Sequence, residues 1–412
     1  MAGGYLLSPA IPEQTLLVYD GMWRPGGIQS IIIRILERQQ SDCVWVVCDA
    51  ENSVGVRKDK IIDVKTAIEG SLPQITNHNT AMLNIIAFGP SAAAISCLVE
   101  QNISRRYSEI ATRIVVSVLH PQEFMMKEEK RHLHYLNRLL GLLVGPSRLV
   151  FMNEQCRDSH SAFFSRDLSA NAIVPVPIDG REPRWTAPKI PGPMRTVAVG
   201  RIVDFKAYNF ALPSILTGLE RNGYKVTCDI FGYGAKEPKL VRTIQDAGAS
   251  HLVSFKGPIP LEAFDNIVSN YDLFIGMGTA AVQAAQLGVP TILAIVDDPD
   301  GTHGFIHEAP FGNLGEQDGR VHRQGLGAMI EAYLHAGQAQ RQGVSDAGIA
   351  YANRYVTDNY VEQLTTHAVA RTGMSRHLAA AYCRFYIWMA RDNWLRAVVR
   401  SVRQLASGGR PS

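Results

Sequence analysis

Tyr271-Asp-Leu-Phe-Ile-Gly-Met-Gly-Thr-Ala-Ala-Val-Gln-Ala-Ala-Gln-Leu-Gly-Val-Pro-Thr-Ile292 is the stretch from which the fold can be read. An apolar run at 272–275 ends in Gly276-Met277-Gly278-Thr279, an alanine-rich helical sequence follows at 280–287, and a second apolar run opens at Thr291. Strand, glycine turn, helix and strand form the repeating unit of a parallel α/β sheet. In such a turn, free backbone N–H groups and the positive end of the helix point outward, which suits an anion or sugar hydroxyls. A tight turn with no ligand is the alternative reading of the same glycines.

The alternation continues in both directions. The half-chain around the turn predicts strands at 195–199, 225–231, 251–255 and 291–295, with helices at 210–222, 238–247 and 261–270. The first half predicts strands at 15–19, 43–48, 82–88, 114–119 and 148–152, with helices at 28–39, 91–101 and 127–143. Between them, residues 175–193 carry six prolines. Proline fixes its own φ and restricts the residue before it, so this stretch reads as an extended hinge. Two α/β bodies on a hinge predict a cleft between two sheets, with ligands outside the carboxyl ends of the strands.

Composition agrees with a globular chain: 46% of the 412 residues are hydrophobic and 19% charged. The six cysteines lie apart among apolar neighbours, without metal-type or disulfide-type spacing, which fits a reducing compartment. The start Met1-Ala-Gly-Gly has no secretion-signal pattern and no window reads as a membrane span, so a cytoplasmic protein is expected. Charge is unevenly placed. Residues 371–412 hold eight arginines and one acid, a net +7, which leaves the rest of the chain at −4 within an overall +3.

Two further loops carry candidate chemistry. Gly200-Arg201-Ile-Val-Asp204-Phe-Lys206 follows a strand, and its two cations could neutralise a departing diphosphate. An Arg201–Asp204 pair in a solvated loop is the alternative. Phe231-Gly232-Tyr-Gly234 ends another strand, with glycines that allow close approach. Asp298-Pro-Asp300 spells a metal-diphosphate motif, but it stands in a body already supplied with cations, so no metal is expected. His303 is a candidate for the cleft wall.

In order and spacing, Val199-Gly-Arg201, Lys206, Phe231-Gly-x-Gly234, Gly276-x-Gly278 and Gly288-Val-Pro290 resemble the nucleotide-binding domain of the family-4 (group 1) glycosyltransferases. Gly26-Gly27 before a helix, Val115-Val-Ser-Val-Leu-His120 and Ile173-Val-Pro-Val-Pro-Ile-Asp179 are similar to that family's first domain. The resemblance spans residues 15–365. It implies the GT-B fold: two facing Rossmann-like domains with a cleft between them and a C-terminal helical tail. The implied boundaries are 1–180 for the acceptor domain, 181–372 for the nucleotide-sugar domain and 373–412 for basic C-terminal helices.

By the same resemblance, Arg201 and Lys206 hold the donor diphosphate, His120 faces the reacting centre, and Gly26 and Gly27 approach the phosphates. Gly232, Gly276, Met277, Gly278, Thr279 and Gln283 contact the donor. The implied activity is transfer of a sugar from a nucleotide-sugar to a hydroxyl, with retention; the arginine-rich tail adds the expectation of surface polysaccharide or glycolipid assembly. The donor is a substrate, and no cofactor is implied. One departure stands out. The family's two glutamates, eight positions apart, correspond here to Ile275 and Gln283. The loss motivates an alternative, a non-catalytic homologue that binds a nucleotide-sugar or a partner subunit. A nucleotide-sugar epimerase ranks last, because it needs a carboxylate pair for proton transfer. Glu123 reads as a surface carboxylate, with acceptor contact as the alternative.

In the tail, Leu378, Tyr382, Phe385 and Met389 share a helical face, but the stripe breaks near Asp392-Asn393. Beyond it, 393–405 reads as a short basic amphipathic helix suited to anionic lipid, or to docking on the protein. The expected partners are therefore a nucleotide-sugar donor, a carbohydrate or lipid-linked acceptor, and the inner face of a membrane, with no nucleic acid.

Overall fold

Strands form where apolar residues run together: Val44–Cys48 is buried throughout and Met82–Phe88 nearly so, as strands covered on both faces must be. The computed structural model describes residues 13–20, 27–38, 43–48, 58–69, 72, 75, 80–125, 131–186, 193–370 and 376–391. It divides into a first unit, 1–174 with 359–412, and a second unit, 175–358.

The first unit holds β1 (Glu13–Val18), β2 (Val44–Cys48), β3 (Ile61–Asp63), β4 (Met82–Phe88), β5 (Ala111–Val118) and β6 (Leu149–Phe151). They form one parallel sheet in the order β3-β2-β1-β4-β5-β6, so the chain reverses its direction of travel across the sheet between β1 and β4. Its helices are α1 (Gly27–Arg38), α2 (Val64–Ile68), α3 (Pro90–Arg106), α4 (Arg131–Val144) and α5 (Glu154–Phe164). α3 starts at Gly89, whose φ of 92° only glycine adopts readily, with Pro90 in the first turn where no N–H is needed. Asn153 caps α5 by accepting from Cys156 N–H at 2.8 Å.

The second unit holds β7 (Met194–Val199), β8 (Val226–Phe231), β9 (Val253–Gly257), β10 (Leu273–Gly276), β11 (Thr291–Ala294), β12 (Gly301–Phe305) and β13 (Gln324–Gly325). Their order is β13-β12-β11-β10-β7-β8-β9, with only β12 and β13 entering antiparallel. α6 (Tyr208–Arg221), α7 (Glu237–Asp246), α8 (Phe264–Val268), α9 (Thr279–Gln286), α10 (Leu326–His335) and α11 (Gln338–Asn353) surround it. Its core runs from Met194 and Ala198 through Tyr208, Leu212 and Ile230 to Ile275, Ile292 and Tyr333.

The unit limits differ from those expected at 180 and 372. Residues 175–186 are not a free hinge. Ile178 donates its N–H to Tyr355 O, Arg184 and Trp185 both donate to Leu287 O, and Arg181 pairs with Asp265 at 2.8 Å, all within the second unit. At the other end, residues from 359 return to the first unit. α12 (Tyr360–Thr366) brings the Tyr360 hydroxyl to Ser117 Oγ at 3.2 Å, and Val369 pairs with Ile114 across the backbone.

α13 (Arg376–Arg391) then packs against α3 and α4, with Tyr382 Oη donating to Leu136 O at 2.8 Å and Tyr386 Oη to Asn137 Oδ1 at 2.6 Å. The buried stripe on α13 is Ala380, Cys383 and Tyr386, while Phe385 is 45% exposed. Of the expected stripe, Tyr382 is half-buried against α4, Phe385 is corrected to an exposed position, and the side chains of Leu378 and Met389 lie outside the described residues. The expected basic helix at 393–405 lies outside the described residues. Among the described residues, no helix is long and apolar enough to cross a membrane.

Candidate functional site

The register of the second sheet sets three strand ends side by side. Val199 lies opposite Phe231, while Leu273 and Phe274 lie opposite Thr196 and Val197, so Gly200, Gly232 and Gly276 lie at neighbouring strand ends. The junction between β7 and β10 is where the order of the sheet reverses, and crevices at carboxyl ends form at such switch points.

Gly232 and Gly234 make the junction compact. A Cβ on Gly232 would strike the carbonyl oxygen of Gly200, and one on Gly234 the backbone of Ile202. Without them, the loops after β7 and β8 interlock, Gly200 N–H donating to Phe231 O at 3.0 Å and Ile202 N–H to Tyr233 O at 2.8 Å. Gly232 therefore has a packing role independent of any donor.

Lys206 folds back over this loop, its ammonium filling the space that a Cβ on Gly200 would take. Loss of water, and after it the charge of Arg201, push its pKa down to about 8. Arg201 is exposed, its guanidinium 5.8 Å from the Phe205 ring centroid. The alternative Arg201–Asp204 pair does not form. Asp204 instead pairs with Lys236 at 2.8 Å and Lys239 at 3.2 Å, which holds its carboxyl below the usual range. Among the described residues, neither Arg201 nor Lys206 has a carboxylate partner. Two adjacent cations, one of them partly desolvated, repel each other until an anion joins them.

Beside them, Gly278 adopts φ of 77° at the start of α9 and donates its N–H to Leu314 O at 2.7 Å. That amide is taken by protein, so the anion-facing donors of the turn reduce to Thr279 and Ala280, which have no backbone acceptor among the described residues. Met277 turns its side chain into the core against Gly315, leaving only its backbone for a ligand. Thr279 and Gln283 lie one turn apart on the same face of α9, Gln283 being buried. Ile275 is fully buried in the core, so no side chain from that position reaches a sugar.

Three contributors escaped sequence reasoning. The loop at 313–316 braces the turn: Leu314 N–H donates to Glu316 Oε2 at 2.6 Å, and Gly315 N–H to Asn313 Oδ1 at 2.8 Å. The Tyr208 hydroxyl lies beneath Gly276, and burial keeps it protonated. Like the buried Asn209 Nδ2, it has no hydrogen-bond partner of good geometry among the described residues. The only sequence signal for this pair is its place two residues after Lys206.

In the first unit, Gly26 lies outside the described residues, and Gly27 opens α1, exposed. His120 follows β5, exposed, and its Nδ1 accepts from Gln122 N–H at 3.0 Å. The neutral ring then carries its proton on Nε2, which makes that atom a donor toward an oxygen. Glu123 is not a surface carboxylate. Its Oε2 accepts from Leu119 N–H at 2.5 Å, its Oε1 lies over Gly89, and burial pushes its pKa up to about 7. Behind it, His160 accepts from Phe124 N–H, packs among Phe124, Phe151 and Phe164, and is pushed down to about 4 by burial.

The Asp298-Pro-Asp300 segment is engaged elsewhere. Arg323 clamps Asp298 with two bonds of 2.6 and 2.8 Å, and Asp298 Oδ1 accepts from Asp300 N–H. His303 is buried in β12 with its Nε2 on Glu316 O at 2.8 Å.

No protein-family profile matches the chain. Over 194 residues it is 26% identical to the UDP-N-acetylglucosamine--peptide N-acetylglucosaminyltransferase GtfA subunit of Streptococcus gordonii, a match that takes in 45% of this chain and 37% of that protein. Among solved structures, the lipopolysaccharide outer core galactosyltransferase WaaB in its apo form is similar over 86% of this chain and 98% of its own, at 13% identity and a TM-score of 0.54. The sucrose-phosphate synthase (tll1590) of Thermosynechococcus elongatus is similar over 86% and 96%, at 12% identity and a TM-score of 0.56. The chain has the GT-B fold, with two Rossmann-like α/β domains and a helical C-terminal region.

Proposed function

We propose that this chain is a glycosyltransferase that takes a sugar from a nucleoside-diphosphate donor. One observation carries the reading: Arg201 and Lys206, two neighbouring cations without carboxylate partners among the described residues, stand at a sheet switch point beside the Gly276–Thr279 turn. A diphosphate supplies the missing counter-charge. In transfer, the bond from the anomeric carbon to the β-phosphate oxygen breaks and the acceptor oxygen takes its place. The acceptor proton passes to the departing diphosphate, and Arg201 and Lys206 stabilise the charge developing there. Entry of the acceptor on the face that the diphosphate leaves gives retention. Gln283 can accept from sugar or ribose hydroxyls as an amide. His120 Nε2–H is a donor, so it would bind a sugar oxygen rather than remove a proton. A carbohydrate or lipid-linked acceptor, in polysaccharide or glycolipid assembly on the inner face of a membrane, fits the arginine-rich end of the chain.

Lys206→Ala is expected to lower transfer by about a hundredfold or more while the thermal transition stays intact. Near wild-type turnover in a donor-panel assay with UDP-, GDP-, ADP- and dTDP-sugars would refute the role.

A second reading is favoured by the burial of Ile275 and the amide at Gln283, which leave the turn without either glutamate. On this reading the chain is a non-catalytic subunit that binds a nucleotide-sugar or a partner protein. Calorimetric donor binding with no transfer and no donor hydrolysis on the same panel would select it.

A further inference from the structure

Of the large hydrophobic side chains exposed among the described residues, three lie on two adjoining helices of the first unit. Tyr135 is 69% exposed and Leu139 45% on α4, and Phe385 is 45% exposed on α13. Tyr135 and Leu139 are four residues apart on one helical face. The bond from Tyr382 Oη to Leu136 O brings the α13 stripe beside them, with the Phe385 ring 6.4 Å from that of Tyr382. Exposed aromatic and aliphatic groups therefore stand on two helices in contact, on the outside of a folded body.

The two helices that carry these side chains have charged residues of a single sign. α4 and α13 contain Arg131, Arg138, Arg376, Arg384 and Arg391 and no acidic residue over their whole lengths. Arg384 is exposed next to Phe385, and Arg138 is half-buried beside Leu139, donating to Ser165 Oγ at 2.8 Å. The chain continues from α13 into residues 392–412, which add Arg396, Arg400, Arg403 and Arg410 against Asp392 alone. Exposed apolar and aromatic groups on two helices that carry arginine and no acidic residue match the boundary of an anionic bilayer. There, rings sit at headgroup depth and guanidinium groups meet phosphates.

We infer that the α4–α13 face of the first unit is a membrane-docking surface for anionic lipid, with the tail reinforcing it rather than acting alone. Docking through a folded face fixes the orientation of the first unit on the bilayer. The inference does not depend on the transferase reading, since it rests on helices that contain none of the donor residues.

The test uses the full chain in flotation with vesicles of phosphatidylcholine plus phosphatidylglycerol, against vesicles of phosphatidylcholine alone. Wild type should float with the anionic vesicles and lose binding as salt rises. The triple variant Tyr135→Ser, Leu139→Ser, Phe385→Ser keeps every arginine, and its partition should fall by about tenfold or more, because insertion scales with buried apolar area. All three positions are solvent-facing, so its thermal transition should match wild type. A chain ending at Arg391 should bind more weakly but still distinguish the two vesicles. Flotation of the triple variant equal to wild type overturns the inference and leaves the tail as the only contact. A wild-type dimer that the triple variant breaks, with flotation unchanged, also overturns it and assigns the face to a protein partner. Donor binding measured on the same samples reports separately on the transferase reading.

Discussion

Lys206 and Glu123 are both held away from their ordinary protonation equilibria, and each makes a distinct pH prediction. The folded pKa of Lys206 is depressed from 10.5 to about 8, so stability gained from the neutral amine is present at high pH and is lost as pH falls toward 8. Below 8 the protein carries a charge that it would hold more cheaply with an anion beside it. Donor binding should then take up a proton near pH 8, and affinity should decline by close to tenfold per pH unit above that. Calorimetry in buffers of different ionisation enthalpy measures the uptake, and a pH-independent affinity from 7 to 9 would exclude the lysine from the phosphate site. Lys206→Met should stabilise the free protein by about 1 kcal/mol while losing the donor. Glu123 behaves in the opposite sense. Its folded pKa is raised from 4.5 to about 7, so its favourable contribution is full below 4.5 and is lost as pH rises through 7. Glu123→Gln keeps an acceptor for Leu119 N–H without the charge. It should match wild type near pH 4.5 and exceed it by about 1–2 kcal/mol at pH 8, the full linkage value being trimmed by solvent reaching the half-buried group. Chemical denaturation at the two pH values reads the difference directly.

At the scale of elements, the site depends on backbone meeting backbone at the ends of β7 and β8. Gly232→Ala places a methyl group on the Gly200 carbonyl, a contact with no flexible side chain to yield. It should cost about 2–4 kcal/mol and pull the Arg201 loop out of register. The expected signature is a lowered melting temperature together with weakened donor binding; a wild-type melt would show that the loops tolerate separation. The same junction shows what could be read in advance. Strands, helices and the glycine turn were legible because parallel strands are apolar runs and because Gly-x-Gly before an alanine-rich stretch has few other meanings. That Arg201 and Lys206 stand unpaired was not legible. It depends on Asp204 turning to Lys236 and Lys239, a choice made by a helix thirty residues downstream. Phe385 departs from the expected stripe on α13 for a related reason: periodicity marks an apolar face, but a close-packed neighbour selects small side chains, here Ala380 and Cys383. Glu123 illustrates the limit most clearly, since a carboxylate in a polar loop gives no sequence sign that it will turn inward onto Leu119 and Gly89.

For the whole molecule, the decisive feature is that one unit is continuous in sequence and the other is not. The second unit, 175–358, contains its own sheet and its own core. The first unit is closed by residues that arrive after the second has been completed. Ser117 bonds Tyr360, Arg148 Nε donates to Val369 O at 3.2 Å, and Tyr386 caps the buried Asn137. Removing 359–412 would leave Asn137 Oδ1 without that donor and would strip the outer cover from α3, most of whose residues are buried. Uncovering that much apolar helix exceeds the marginal stability of a domain of this size. A chain ending at Asp358 should therefore show a single cooperative melt that belongs to the second unit, with the first unit open to proteolysis. Residues 175–358 alone should fold with the same melt and, if Arg201 and Lys206 form the diphosphate site, bind free UDP or GDP within about tenfold of the full chain's affinity. Failure of 175–358 to fold would mean that its core is incomplete as described. A well-folded fragment with no nucleotide affinity, beside a full chain that binds, would move the principal phosphate contacts out of the second unit.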